Sequence, residues 1–241
     1  MTGPLSSEQI ATYERDGYVL LGPVLTTVAA RALVADVERL KPPVAFGGER
    51  NQTLLVNIHL CDRSEVTRRL CTDGPQVAAL TQLIGPDVAL THNQILWKLP
   101  DGPDSHSDIP FHQDNGYGEL APFTDVTVWI ALTDTDEGNG CLWIVPGSHR
   151  LGLLDHAMAE VNPFLREAGS GAGAVPLPMS AGEAVAFSGL TVHGSGPNRT
   201  AAERVGFYAR YCEPATRMVS EGGRSVLDDP HSWMVAGAAP A

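Results

Sequence analysis

The chain has 241 residues, 43% of them hydrophobic, which is enough for one substantial core or two small ones. Its formal net charge is −12, and no cluster of Lys and Arg supplies the basic face that a nucleic-acid binder needs, so nucleic acid is excluded as a partner. Four scattered cysteines without a C-x-x-C pair argue against a disulfide framework or a zinc site and favour reduced thiols in a cytoplasmic protein. Neither a signal peptide nor an 18-residue apolar run is visible, so no membrane partner is expected.

Residues 1–86 predict a mostly helical N-terminal part. Ser6 and Gln9 form a capping-box pattern for a first helix, which Gly17 ends. Five further elements are predicted: a strand over Tyr18–Leu21, a helix over Thr27–Leu40, a strand over Thr53–Leu60, a helix from a cap at Asp62 with Glu65 to about Leu70, and a helix over Pro75–Ile84. A loop is expected over 45–51. Because no linker follows, we expect this part to pack on the remainder as one domain of residues 1–241.

Residues 87–212 change character, because short apolar runs alternate with turn residues. Seven strands are predicted: Val88–Lys98, Pro110–Gln113, Val126–Leu132, Cys141–Val145, Ala184–Phe187, Thr191–His193 and Val205–Tyr211. Such spacing favours an antiparallel sandwich or barrel. An insertion over 147–178 predicts a helix from Leu151 to about Glu160 and then a glycine-rich loop. Residues 213–241 are expected to form a C-terminal tail, loose from Val235 onwards.

The segment Phe111-His112-Gln113-Asp114 offers an imidazole and a carboxylate two residues apart. In an extended strand, residues i and i+2 point to the same face, so His112 and Asp114 would project together. With His193 as a third ligand they would form the 2-His-1-carboxylate face of non-haem Fe(II) oxygenases. Zinc hydrolases use the same donors, and an isolated H-x-D is more often a loop histidine with a hydrogen-bond partner. The tripeptide alone therefore leaves the chemistry open.

A second group of polar residues follows His193. A cosubstrate with a carboxylate needs a fixed counter-charge, and the planar guanidinium of Arg204, at the start of an apolar strand, is suited to bind one in a bidentate manner. Arg199 lies in a polar turn and is expected to face solvent. A second H-x-D, His106-Ser107-Asp108, lies in a polar loop without strand character and is not predicted to bind metal.

Taken in order, these segments resemble the phytanoyl-CoA dioxygenase family of Fe(II)/2-oxoglutarate-dependent oxygenases. The resemblance covers most of the chain and rests on Glu14–Val19, Phe111–Asp114, Trp129–Leu132, Glu137–His149 and His193–Arg199 with Arg204. It implies a mainly β fold with flanking helices, namely a double-stranded β-helix (jelly-roll, cupin-like) core. It also implies Fe(II), 2-oxoglutarate and O2 as cofactor and cosubstrates.

Site residues follow from the resemblance by position. It implies His112, Asp114 and His193 as iron ligands. It implies Arg204 and Ser195 as contacts of the 2-oxoglutarate C5 carboxylate, and Trp129 as a wall of that pocket. Gln94 and Lys98, on the preceding strand, are expected to reach the cosubstrate or substrate. Phe111, Asn115 and Tyr117 are expected to line the substrate pocket.

Asp114 also bears on the type of oxidation. Halogenating relatives replace this carboxylate with Ala or Gly, so its presence implies hydroxylation or another halide-free oxidation of a small molecule, free or carrier-bound. Neither phytanoyl-CoA nor ectoine is predicted as the substrate. Two alternatives stay open at this point: a metal-dependent hydrolase or isomerase on a cupin-like barrel, and a non-catalytic β-barrel binding protein.

Overall fold

The computed structural model describes residues 3–42, 46, 53–102, 106–160 and 165–240, so the expected loop over 45–51 lies outside it apart from residue 46. Within these residues there are four α-helices: α1 (Ser7–Asp16), α2 (Thr27–Glu38), α3 (Glu65–Asp73) and α4 (Val77–Leu83). Ser6 and Gln9 form the predicted capping box of α1, and Gly17 ends the helix at a φ of 78°. No helix in this part of the chain is long and apolar enough to span a bilayer.

The same residues form sixteen strands. In chain order they are β1 (Tyr18–Pro23), β2 (Leu54–Ile58), β3 (Val88–Lys98), β4 (Ile109–His112), β5 (Leu120–Ala121), β6 (Val126–Ala131), β7 (Leu142–Ile144), β8 (Ala157–Met158), β9 (Arg166–Glu167), β10 (Val175–Leu177), β11 (Glu183–Ser188), β12 (His193–Ser195), β13 (Arg204–Cys212), β14 (Arg217–Met218), β15 (Arg224–Ser225) and β16 (Trp233–Ala236). The larger sheet has the order β1-β11-β6-β13-β3-β16, with β2 also paired to β3, and a four-stranded sheet has the order β10-β7-β12-β4. The predicted mainly β fold with a double-stranded β-helix core and flanking helices is confirmed.

The two sheets pack against each other through apolar side chains. Trp129 and Phe187 of the larger sheet meet Leu142 and Ile144 of the smaller one. On the other face of the larger sheet, helix residues such as Leu33 pack with one set of alternating residues from β3 and β13. Because successive side chains of a strand point to opposite faces, the other set from β3 and β13 opens into the space between the sheets. That space holds the site described below.

The insertion over 147–178 differs from its prediction. The helix expected from Leu151 to Glu160 is wrong: a short 3-10 helix occupies Ser148–Leu151, and β8 and β9 form a small two-stranded ladder. Gly152 explains the change, because its backbone adopts φ 73° and ψ −166°, which no helix accommodates. The last residues of the insertion belong to the core, since β10 pairs with β7.

Two smaller expectations also differ. Asp62 does not cap α3, because Ser64 Oγ accepts the hydrogen bond from the Thr67 amide and Asp62 lies in a 3-10 helix. The loose tail expected from Val235 is wrong at its start, because β16 pairs with β3 through residues 233–236. This apolar segment pairs with residues 88–90 of β3, next to the part of β3 that β2 occupies.

Candidate metal centre

Two strands and a turn bring three predicted ligands together. His112 ends β4, His193 begins β12, and the two residues are direct partners across the antiparallel pair. Asp114 lies outside the strand, as the first residue of a 3-10 turn, so the expectation that it shares a strand with His112 is wrong. Gln113 keeps extended dihedral angles (φ −112°, ψ 143°), and the two side chains therefore still reach the same point.

The three side chains form a compact, buried group. Asp114 Oδ1 lies 3.9 Å from His112 Nε2 and 3.7 Å from His193 Nε2. One ligand atom of each residue falls within 4.8 Å of the others, and no second group of this kind occurs in the described part of the chain. His112, Asp114 and His193 could therefore hold one metal ion.

Backbone carbonyls set the histidine tautomers that a metal requires. His112 Nδ1 lies 2.7 Å from the Pro110 carbonyl oxygen, and His193 Nδ1 lies 2.9 Å from that of Thr191. A carbonyl oxygen only accepts, so both Nδ1 atoms carry the proton and both Nε2 atoms present a lone pair towards Asp114. Burial lowers the pKa of His112 to about 3, which keeps this imidazole neutral at neutral pH. The donor set thus fits a divalent iron.

Asp114 is held in its charged form. Burial alone would raise its pKa, but interactions that include the charge of Arg210 and the hydrogen bond from Thr127 bring the pKa below its usual value. Thr127, on β6, donates a hydrogen bond to Oδ2, which orients the carboxylate and leaves Oδ1 towards the histidines. Thr127 was not predicted from the sequence.

At the inner end of the cavity, Arg204 supplies a buried cation. Its side chain is buried beside Trp129, with the guanidinium carbon 5.5 Å from the ring centroid. Nη2 donates to the Gly140 carbonyl, whereas Nε is buried without a partner among the described residues. A buried, unpaired donor on a cation needs an acceptor, and the bidentate carboxylate of 2-oxoglutarate would supply one. Arg204, Trp129 and Ser195 all line this cavity.

Lys98 reaches this pocket through Ser195. Its Nζ donates to Ser195 Oγ at 2.6 Å and to the Gly196 carbonyl, and the residue is fully buried. Burial and the nearby Arg204 hold the pKa of Lys98 well below its usual value. Because Ser195 Oγ accepts from Lys98, its own proton is free to point at another acceptor.

The remaining predicted residues divide into two pairs. Gln94 and Tyr117 line the cavity, and the Tyr117 ring meets His112 edge-on at 5.2 Å between centroids. Asn115 is structural, because its amide donates to Asp125 and accepts from the Leu120 amide. Phe111 points away, since its ring lies against Gly171 of the insertion. Strand alternation explains Phe111, which neighbours the inward-facing His112.

The second H-x-D motif shows what distinguishes the first. His106 is exposed, its Nδ1 lies 3.9 Å from Asp108 Oδ1, and no third ligand joins them among the described residues. Gln113, in contrast, is fully buried and its amide bonds to Gly152, Leu154 and Leu190. That middle residue anchors the first motif to the insertion and to the segment before His193.

Besides Thr127, the cavity residues that sequence reasoning missed include His92, Tyr208 and Arg210. A signal was present, because Tyr208 and Arg210 follow Arg204 by even numbers of residues on one strand and so share its face. His92 stands in the same relation to Gln94 and Lys98 on β3.

Known proteins share this fold and these segments. The sequence profile of the phytanoyl-CoA dioxygenase (PhyH) family matches residues 13–206. Peroxisomal phytanoyl-CoA dioxygenase of Rattus norvegicus is 28% identical over 92% of this chain and 72% of its own length. An ectoine dioxygenase of Bordetella parapertussis is 26% identical over 86% of this chain and 75% of its own length.

Two solved structures are similar throughout. The non-haem α-ketoglutarate-dependent carbocyclase SnoK from nogalamycin biosynthesis aligns with a TM-score of 0.78 at 23% identity, over 97% of this chain and all of that one. The epimerase SnoN, solved with Fe3+, α-ketoglutarate and nogalamycin RO, aligns with a TM-score of 0.74 at 25% identity, over 97% of this chain and 92% of that one. With the family match covering most of the chain and the triad in place, the chain belongs to the phytanoyl-CoA dioxygenase family of Fe(II)/2-oxoglutarate-dependent oxygenases.

Proposed function

We propose that this protein hydroxylates an unactivated C–H bond of a small organic substrate and does not halogenate it. In the reaction, 2-oxoglutarate and O2 are consumed, succinate and CO2 are released, and one oxygen atom enters the substrate. The observation that carries the proposal is the complete triad, in which Asp114 is buried, ionised and directed at both histidine Nε2 atoms.

Each residue at the centre has a proposed role. His112, Asp114 and His193 hold Fe(II), which together with 2-oxoglutarate supplies the O2 activation. Arg204 binds the C5 carboxylate with its unpaired Nε, and Ser195 donates its hydroxyl proton to the same group. Trp129 forms the wall beside them and, with Phe187 and Leu142, excludes water from this end.

The carboxylate of Asp114 supports hydroxylation over halogenation. A halide needs the coordination position that a smaller residue leaves open, and here Thr127 fixes a carboxylate at that position. The hydrolase or isomerase alternative gives no role to the unpaired Nε of Arg204. The alternative of a non-catalytic binding protein gives no role to the Nε2 lone pairs that His112 and His193 both present.

Anaerobic addition of Fe(II) and 2-oxoglutarate tests the proposal. We expect a weak visible charge-transfer band, and then succinate formation once O2 is admitted. A panel of carboxylates, amino acids, carrier-bound acyl groups and uncharged molecules should contain a compound that stimulates succinate and gains one labelled oxygen atom, with no chlorine incorporated in chloride buffer. Absence of both band and succinate from folded, iron-loaded protein would refute the oxygenase, and a chlorinated product would refute the hydroxylase.

A further inference from the structure

Four polar side chains form one patch on the wall of the cavity beyond the metal centre. His92 and Gln94 lie on β3, Tyr208 and Arg210 on β13, and the strand register places Tyr208 opposite Gln94 and Arg210 opposite His92. All four line the same cavity as the triad. We call them the polar tetrad.

Hydrogen bonds within the tetrad determine which of its donors and acceptors remain available to a ligand. His92 Nε2 lies 3.3 Å from Gln94 Oε1, and the His92 and Tyr208 rings are 5.6 Å apart between centroids. An amide oxygen only accepts, so His92 Nε2 is the donor and the Gln94 NH2 group is left unused. Burial lowers the pKa of His92 to about 4, so the imidazole is neutral at neutral pH.

The charge of Arg210 is compensated within the protein. Its Nε donates to Asp125 at 2.8 Å and its Nη1 to the Gly118 carbonyl at 3.2 Å. Asp125 is buried and neutralises the guanidinium, and Nη2 is buried as well. The donors that the tetrad offers to acceptor oxygens of a ligand are therefore the Gln94 NH2 group and the Tyr208 hydroxyl, for which the described residues supply no acceptor.

The rim of the cavity carries excess negative charge. Glu221 and Asp229 both line the cavity, and one cation, Arg224, lies between them at 2.6 and 3.3 Å. Two carboxylates against one guanidinium leave a net negative rim, in a chain whose formal charge is −12. A rim of this sign disfavours binding of an anion in the outer part of the cavity, next to these carboxylates.

The cavity surface next to the tetrad is apolar. Leu96 shares β3 with His92 and Gln94, Leu54 and Val56 lie on the neighbouring β2, and Ile109 and Leu165 pack beside them. The cavity has a volume of about 470 Å³, within the range of pockets that enclose a small organic ligand. It thus offers hydrogen-bond donors and, beside them, apolar surface.

We propose that the substrate is an uncharged organic molecule with an apolar body and carbonyl oxygens, and that the polar tetrad binds those oxygens. The assignment rests on the proposed function, since it places the substrate beside the metal centre. Gln94 and Tyr208 act as specificity-determining residues, and the rim carboxylates weaken the binding of a carboxylate at the substrate position.

Anaerobic equilibrium dialysis with ultraviolet detection tests this with two probes of similar shape, 1-tetralone and 1-naphthoate, against protein loaded with Fe(II) and 2-oxoglutarate. We expect 1-tetralone to bind at least about fivefold more tightly than 1-naphthoate. Tyr208→Phe and Gln94→Met should each weaken 1-tetralone binding by about two- to tenfold, the effect of one lost hydrogen bond. Glu221→Gln, on the exposed rim, should reduce the ratio of the 1-naphthoate dissociation constant to the 1-tetralone dissociation constant.

Tyr211→Phe is the matched control. It lies on the same strand as Tyr208 but points to the other face, where its hydroxyl donates to the Cys71 carbonyl, so probe binding should not change. Equal or tighter binding of 1-naphthoate, no binding of 1-tetralone, or wild-type binding in both tetrad variants overturns the assignment. The charge-transfer band and succinate assay on the same samples separate the two proposals: if both persist while probe discrimination fails, only the substrate class is wrong.

Discussion

The two ends of the cavity are lined by the same two strands, β3 and β13, but they carry different charged and polar side chains. At the inner end, Arg204 and Lys98 are directly paired across β13 and β3, and both are fully buried. At the outer end, His92 and Arg210 are paired across the same strands, beside a rim of carboxylates. The inner end suits a small dianion, whereas the outer end suits an uncharged molecule with acceptor oxygens.

From this difference we expect the cosubstrate and the substrate to bind at different positions along the same two strands. The inner groups resemble a family pattern, and we propose that they bind the cosubstrate that the family has in common. The outer groups occupy the same face of the same strands, a few residues further along, and we propose that they bind the substrate. Substitutions at the inner end should therefore change the affinity for 2-oxoglutarate, and substitutions at the outer end should change the affinity for the substrate.

The largest effect is expected at the boundary between the two ends. Asp114→Ala should weaken Fe(II) binding by more than about 100-fold, because loss of a ligand exceeds the effect of losing an outer-shell partner. Hydroxylation should disappear with the fold intact, as checked by iron content and circular dichroism. Asp108→Ala, in the exposed second H-x-D motif, is the control, and equal iron loss in both variants would contradict the assignment.

At the inner end, Arg204→Ala should raise the 2-oxoglutarate requirement by roughly 10- to 150-fold, since hydrogen bonds to charged groups contribute about 1.5–3 kcal/mol. Titration of the charge-transfer band with 2-oxoglutarate measures this directly. Arg199→Ala, at an exposed position, should leave the titration unchanged. The opposite pattern would make Arg199 the cosubstrate residue.

Lys98 and Ser195 should act as a unit at the same end. Lys98→Met and Ser195→Ala are each expected to weaken 2-oxoglutarate binding about tenfold, and the double variant should be little worse than either, because both disturb one hydrogen bond chain. The same titration, arranged as a double-mutant cycle, measures the coupling. Fully additive losses would show that Lys98 and Ser195 contribute separately.

At the outer end, His92 should make stability depend on pH by a smaller amount. Its folded pKa of about 4 lies below the ordinary value of 6.5, so between these values the unfolded chain binds more protons. The free energy of unfolding should therefore fall as the pH drops through this window, with His92 contributing about 1 kcal/mol by pH 5 once its partial exposure is allowed for.

Urea unfolding of metal-free protein at pH 7.5 and 5 measures that contribution. His92→Gln should lose less stability on acidification than wild type, while the exposed His106→Gln should behave like wild type. An identical pH response in His92→Gln and wild type would mean that the outer end does not hold His92 neutral.

Many secondary-structure elements and several site residues could be predicted from the sequence, because the relevant signals are local. Capping residues and glycines determined where α1 begins and ends, alternating apolar runs indicated most strands of the two main sheets, and ordered motifs indicated His112, Asp114, His193 and Arg204. Gly152 was also visible, but its effect on the insertion depends on a backbone conformation that composition does not reveal.

Only the tertiary structure decided which residues face one another. Strand register placed Tyr208 opposite Gln94 and Arg210 opposite His92, and the turn at Asp114, not a continuous strand, brought the third ligand to the histidines. Asn115 donates a hydrogen bond to Asp125, and the Phe111 ring packs against Gly171 of the insertion, although both residues adjoin metal ligands. Alternation along β13 indicated that Tyr208 and Arg210 share the face of Arg204, but their pairing with β3, more than 100 residues away in sequence, is a contact that no local pattern encodes.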